Sequence, residues 1–302
     1  MSDPVVRYMD LPVQGKAVSH HHYKRFIAED TDLWLFGTGL GDVTLMMQVG
    51  EAFHDYIALH GDPCLGNIML SIGLTATSLH PYEGDFNVWW SWGSPGFIED
   101  YLRDVSVQPT HVLAPSKHID CLLRLRGFKP LYLPLGVGKA FKPLGLERKG
   151  LGYVGDPIRP QQQLDAIVSP IINRSDFEWI SKHASDEWRS MKRLNEWYNG
   201  KQIVFGMNNP SALVYGLISN RFYETWASGT PLITYCNPAL AELFPRYPYQ
   251  SENASDTLEL IEDVLGDYEE HLEVFQRLSE EVREEHTMLI RVTQLMEWLK
   301  NV

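Results

Sequence analysis

Cysteine is scarce in this chain. Its three cysteines, Cys64, Cys121 and Cys236, are odd in number, far apart and never arranged as Cys-x-x-Cys, which excludes a disulfide framework and a cysteine-built zinc or redox centre. Long apolar runs are missing as well. No segment approaches the ~20 consecutive apolar residues that a membrane-spanning helix needs, and the opening Met1-Ser-Asp-Pro-Val-Val-Arg7 holds no apolar signal region. Both absences point to a cytoplasmic protein without a membrane span. Positive charge is in deficit too, with 26 Lys and Arg against 39 Asp and Glu and a net charge of -13. That balance opposes non-specific attraction to nucleic acid or anionic membrane, so any phosphate must be met by a local basic site.

What is present is apolar material in regular blocks. The 302 residues, 44% hydrophobic and 12% aromatic, suffice for two ordinary domains or one large one. Strand-like runs occur at Leu33 to Phe36, Asn67 to Ile72, Asn87 to Trp90, His111 to Ala114, Pro130 to Pro134, Gly150 to Val154, Gln202 to Phe205 and Leu232 to Tyr235. Helix-length segments separate them, which predicts an α/β protein with parallel sheets and crossover helices. Phe141 to Gly150 mixes proline, glycine and basic residues between two strand signals, so a boundary is expected there. The first domain then covers residues 1–143 and the second 144–302. Asp256-Thr-Leu-Glu259 has the character of a capping box. Met288, Val292, Leu295, Met296 and Leu299 form an apolar stripe at helical spacing, expected to be core in a last helix that packs back on the first domain.

The most informative stretch is Asn220 to Thr234. Ser219 is positioned as an N-cap, Phe222 and Trp226 share a helix face, and Gly229 followed by Pro231 marks a stop before the strand at Leu232. Glu224 lies among aromatics with no basic residue at i+4, so it needs another partner; a ligand's hydroxyl pair or a neighbouring group such as Arg221 would serve. A second candidate is Gly37-Thr-Gly39-Leu-Gly41-Asp42, between a strand-like and a helix-like run. Gly39 and Gly41 could let backbone amides approach a phosphate at a helix N-terminus, or simply form a tight turn.

Several of these pieces come in an order that resembles one family. Thr110 to Ser116, Leu122 to Gly127, Pro130-Leu-Tyr-Leu-Pro-Leu-Gly-Val137 and Phe141-Lys-Pro143 resemble the end of the first domain in group 1 glycosyltransferases of the GT-B type. Leu151-Gly-Tyr-Val-Gly-Asp156 with Arg159, the Glu-x-x-x-x-Gly-x-Pro core beginning at Glu224, and Glu285-His-Thr287 with Arg291 resemble successive parts of their second domain. The resemblance covers residues 110 to 300. It implies two doubly wound, Rossmann-like domains facing a cleft, and transfer of a sugar from a nucleotide-diphosphate donor with retention and without metal or other cofactor.

By residue, the resemblance makes Glu224 the acid that accepts from the ribose hydroxyls, so that its removal weakens nucleotide binding with little loss of stability. Asn220 and Arg221 fall beside the diphosphate, and Arg159 matches the catalytic cation that neutralises it as it leaves. His60 and His80 fall where the cleft is expected and the family uses histidines; His60 is the catalytic candidate, and an ordinary loop histidine is the alternative for either. This chain also departs from the family. Gly216 replaces an acid eight residues before Glu224, and Leu164 replaces a lysine five residues after Arg159, which leaves Lys182 or Arg221 to compensate. The run His20-His-His22 and the indoles Trp89, Trp90 and Trp92 have ordinary explanations in loop and core.

The partners implied are a nucleotide sugar and an acceptor among glycans, proteins, lipids or modified DNA. Two alternatives stay open. One is a phage-type DNA-base glycosyltransferase using a local basic groove of Lys117, His118, Arg124 and Arg126. The other is a catalytically idle nucleotide-binding module of the same fold.

Overall fold

The structure is a computed structural model that describes residues 22–37, 40–73, 83–91, 108–155, 160–180, 190–208, 210–245 and 247–302. The chain forms two compact units, one of Met1–Pro134 with Met288–Val302 and one of Leu135–Thr287.

The first unit holds β1 (His22–Ile27), β2 (Thr31–Gly37), α1 (Leu40–His60), β3 (Gly66–Gly73), β4 (Phe86–Ser91), β5 (His111–Ala114), α2 (Lys117–Leu125) and β6 (Leu131–Tyr132). The strands lie in the order β1 to β6, parallel except for β1, which runs antiparallel to β2. The apolar runs read from the sequence are these parallel strands. Leu33, Leu35, Ile68, Leu70, Ile72 and Val88 are buried, as strands covered on both faces require. Trp89 and Trp90 belong to this core, with Trp90 Nε1 donating to the Leu133 carbonyl at 3.0 Å. The last helix of the chain, Met288–Leu299, also belongs here and packs along α1. All five apolar residues of its stripe are buried, and Lys300 Nζ just beyond it donates to Tyr56 Oη at 3.0 Å.

The second unit holds β7 (Leu151–Val154), a helical segment α3 that starts at Gln161–Gln163 and widens into a π-turn over Leu164–Val168, β8 (Phe177–Ile180), α4 (Met191–Asn199), β9 (Ile203–Gly206), α5 (Pro210–Val214), α6 (Asn220–Ala227), β10 (Leu232–Tyr235), α7 (Leu240–Leu243), β11 (Gln250–Ser251), α8 (Ala254–Gly266) and α9 (Tyr268–Glu285); Met288–Leu299 is then α10. Its sheet is wholly parallel, in the order β11-β10-β9-β7-β8. From β7 the chain steps to β8 on one side, then returns to β9 on the other.

Three strands were not expected from the sequence: β1, β8 and β11. Each is an edge strand, and β1 (His-Tyr-Lys-Arg-Phe-Ile) and β8 (Phe-Glu-Trp-Ile) carry charged residues where an apolar run is sought. The capping expectation is also corrected. Helix α8 begins earlier than Asp256, with Asn253 as N-cap, whose Oδ1 accepts from the Asp256 amide at 3.0 Å.

The segment Phe141 to Gly150 is tied into the second unit by Arg148. Its Nη1 donates to Thr230 Oγ1 at 2.6 Å and its Nη2 to the carbonyls of Ser228 and Gly229 at 3.1 and 3.0 Å. A cation is thus buried against the C-terminal end of α6, where the helix dipole favours it. Arg148→Met should lower stability by about 2–4 kcal/mol, because it strips several carbonyls of a charge-assisted donor; the midpoint of denaturant unfolding measures this.

Candidate functional site

In an open parallel sheet, ligands bind beyond the carboxyl ends of the strands where the chain reverses direction across the sheet. In the second unit that place lies between β7 and β9. Tyr153 pairs with Phe205, so Val154-Gly155 and Gly206-Met207-Asn208 emerge side by side.

Helix α6 is held over this edge at both ends. Phe222 and Trp226 are buried with ring centroids 5.8 Å apart. Gly229 adopts φ +65, its amide donates to the Trp226 carbonyl at 2.8 Å, and the Thr230 amide donates to Thr225 at 3.2 Å. This is the left-handed stop that glycine permits. Ser219 occupies the N-cap position, but its side chain makes no capping bond and instead donates to Asn220 Oδ1 at 3.4 Å.

The structure brings Asn220, Arg221 and Glu224 together on this helix. Glu224 is fully buried: Tyr198 Oη donates to Oε2 at 3.2 Å and Asn220 Nδ2 to Oε1 at 3.1 Å. Burial, and then the Glu224 charge, holds the Tyr198 phenol well above its ordinary value, so it stays a donor. Arg221 reaches back to β7, where Nη1 donates to the Val154 carbonyl at 2.7 Å. Gly155 makes room for it, since a Cβ there would stand 2.5 Å from Nη1. Arg221 Nε is buried without a partner.

Sequence reasoning missed Asn208. It is 1% exposed, and neither Nδ2 nor Oδ1 of its carboxamide has a partner. Its backbone is clamped by Gln163, whose Nε2 donates to the Asn208 carbonyl at 2.9 Å and whose Oε1 accepts from the Asn208 amide at 2.8 Å. The available signal was Asn-Asn-Pro immediately after an apolar strand.

Farther along the same edge, a cavity of about 420 Å³ is lined by residues including Leu213, Val214, Tyr235, Cys236 and Glu252. Burial, and then the Glu252 charge, pushes the Cys236 thiol up to about 11. It is a neutral thiol at pH 7, poorly suited to nucleophilic chemistry.

Gly39, Arg159, His20, His21, His80, Trp92 and Lys182 lie outside the described residues. Gly41 falls in the first turn of α1 in the first unit, and His60 is exposed at the end of that helix, its ring 4.8 Å from Tyr56. Gly216 adopts φ +67, a conformation that strains any side chain, acidic ones included. On α2, Arg124 is paired with Asp120 through Nε at 2.6 Å and Nη2 at 3.0 Å, so one charge of the supposed basic groove is neutralised locally. Two motifs far apart in sequence meet: the Val137 amide donates to the His286 carbonyl at 2.9 Å, and a Cβ on Gly136 would stand 2.8 Å from that oxygen.

Residues 159–297 match the model of the glycosyl transferase-like family. That stretch, a little under half of the chain, is what is similar to the family. Across almost its whole length, 99%, the chain is similar to sucrose-phosphate synthase from Thermosynechococcus elongatus, at 13% identity and a TM-score of 0.55 over 86% of that chain. The likeness shows a GT-B type fold. A glycosyltransferase involved in avilamycin A biosynthesis is similar at 12% identity and a TM-score of 0.48, covering 87% of this chain and 89% of its own. None of the curated proteins matches the chain in sequence. The matched stretch contains α6 with Arg221 and Glu224, and the β9 end with Asn208.

Full burial of Glu224 revises the expectation that its removal spares stability. Glu224→Ala should destabilise by about 1–3 kcal/mol, because it leaves Tyr198 Oη and Asn220 Nδ2 without their acceptor. In a double-mutant cycle with Tyr198→Phe, a coupling of about 0.5–3 kcal/mol measures the shared hydrogen bond.

Proposed function

We propose that the protein transfers a sugar from a nucleoside-diphosphate donor held by the second unit, with retention of configuration and without a metal ion. The single observation that carries this reading is Arg221. One end of its guanidinium is fixed to the Val154 carbonyl, and its Nε is buried without a partner. A cation so placed at the start of a helix, beside the strand ends where such sheets bind ligands, is suited to a diphosphate.

Around that anchor, Glu224 takes the ribose. Its Oε1 is shared with Asn220 Nδ2, and a vicinal diol replaces that amide with a charge-assisted pair of bonds. As the bond between the anomeric carbon and the diphosphate oxygen breaks, the electron pair leaves on the diphosphate, an acceptor hydroxyl oxygen bonds to that carbon on the same face, and its proton passes to the leaving phosphate oxygen. Arg221 and the α6 amides, joined by Arg159, stabilise that charge where it develops. His60 is a further catalytic candidate, and Gly39 and Gly41 are further donor contacts.

Calorimetric titration with uridine, guanosine and adenosine diphosphates should show binding of at least one of them. Arg221→Met should weaken it about tenfold to a hundredfold, the range of a charge-assisted hydrogen bond. A cooperatively folded protein that binds none of the three, and releases no sugar from the corresponding donors, would count against the reading.

A further inference from the structure

Asn208 is, among the described residues, the side chain with two buried polar atoms left without partners. It is not loosely held. Gln163 grips its backbone on both sides, at 2.9 and 2.8 Å, so the aim of the carboxamide is set by the fold. Buried polar groups in native proteins are nearly always paired, and a clamped, unpaired amide is what a ligand-binding position looks like before its ligand supplies the missing bonds.

A carboxamide presents a donor and an acceptor side by side. Two adjacent hydroxyls answer that pattern, one accepting from Nδ2 and the other donating to Oδ1. Asn208 stands two residues beyond Gly206 at the end of β9, and the neighbouring β7 ends at Val154, the residue whose carbonyl holds Arg221. Arg221 Nε, on a side chain tied to the β7 end, and the Asn208 amide, just beyond the adjacent β9 end, are thus both unmet. An anion at the first and a diol at the second fit one ligand whose hydroxyls lie close to its phosphates. In a nucleoside-diphosphate sugar the base stands a full ribose away from the diphosphate, and the ribose is assigned to Glu224.

We propose that Asn208 binds a vicinal diol of the transferred sugar and thereby determines which donors are accepted, a role that rests on the donor reading above.

The test compares wild type with Asn208→Ala and with Asn208→Asp, using uridine, guanosine and adenosine diphosphates and their glucose or mannose conjugates as probes. The sugar conjugate should bind wild type more tightly than the bare diphosphate. Asn208→Ala should erase that advantage, a loss of about tenfold, while leaving diphosphate affinity unchanged and the melting temperature no lower, since no internal bond is removed. Asn208→Asp, which keeps the shape and loses the donor, should fall in between. Donors lacking one hydroxyl of the diol should lose affinity in wild type and not in Asn208→Ala. Equal weakening of the bare diphosphate, a lowered melting temperature, or a conjugate advantage untouched in both variants overturns the assignment alone. Failure of wild type to bind any diphosphate overturns the donor reading and this role with it.

Discussion

The carbonyl oxygens at the end of α6 converge on Arg148, and the second unit depends on that convergence. A helix of eight residues has little stability of its own. Here its last turn is closed by the left-handed Gly229, and the carbonyls beyond it are taken up by a buried guanidinium that also reaches Thr230 at the entry to β10. At the other end Arg221 ties the helix to β7 through Val154. Two arginines, neither paired with a carboxylate in these contacts, fix the helix to the strands it serves. Asn220, Arg221 and Glu224 inherit their positions from this bracing.

Glu224 and Asn208 illustrate opposite uses of a buried polar group. Glu224 is served by Tyr198 and Asn220, so it contributes to holding α4 and α6 together whatever else it contacts. Asn208 contributes nothing of the kind through its side chain; its backbone alone is bound. A group that costs stability and is nevertheless held rigid is better explained by binding than by folding. Arg221 lies between the two cases, half engaged and half unmet.

The central strands were legible because burial on both faces writes them as uninterrupted apolar runs. His111–Ala114 and Leu232–Tyr235 stand where the runs placed them. The edge strands β1, β8 and β11 were not legible, because an edge needs charge or brevity to avoid pairing with other chains. Helix α6 could be read from its aromatic spacing and its glycine stop. The interior position of Glu224 could not, since periodicity places it on the helix but does not show that Tyr198, 26 residues earlier, brings its hydroxyl across. Asn208 escaped for a similar reason. An asparagine after a strand is ordinary turn chemistry, and only the Gln163 clamp, reaching across 45 residues, shows that this one is buried and held.

The chain leaves the first unit at Pro134 and returns to it at Met288, and the two ends of the intervening unit are bridged by Val137 and Thr287. This has a consequence for the order of folding. While Leu135–Thr287 is unstructured, docking α10 against α1 must close a loop as long as that whole unit, an entropic cost of roughly 4 kcal/mol. Once the unit has folded, its own bridge delivers Met288 to the point where the chain departed, and the closure is already made. The five apolar residues of α10 then complete the first core late, which makes the N-terminal sheet the client of a domain inserted into its own sequence.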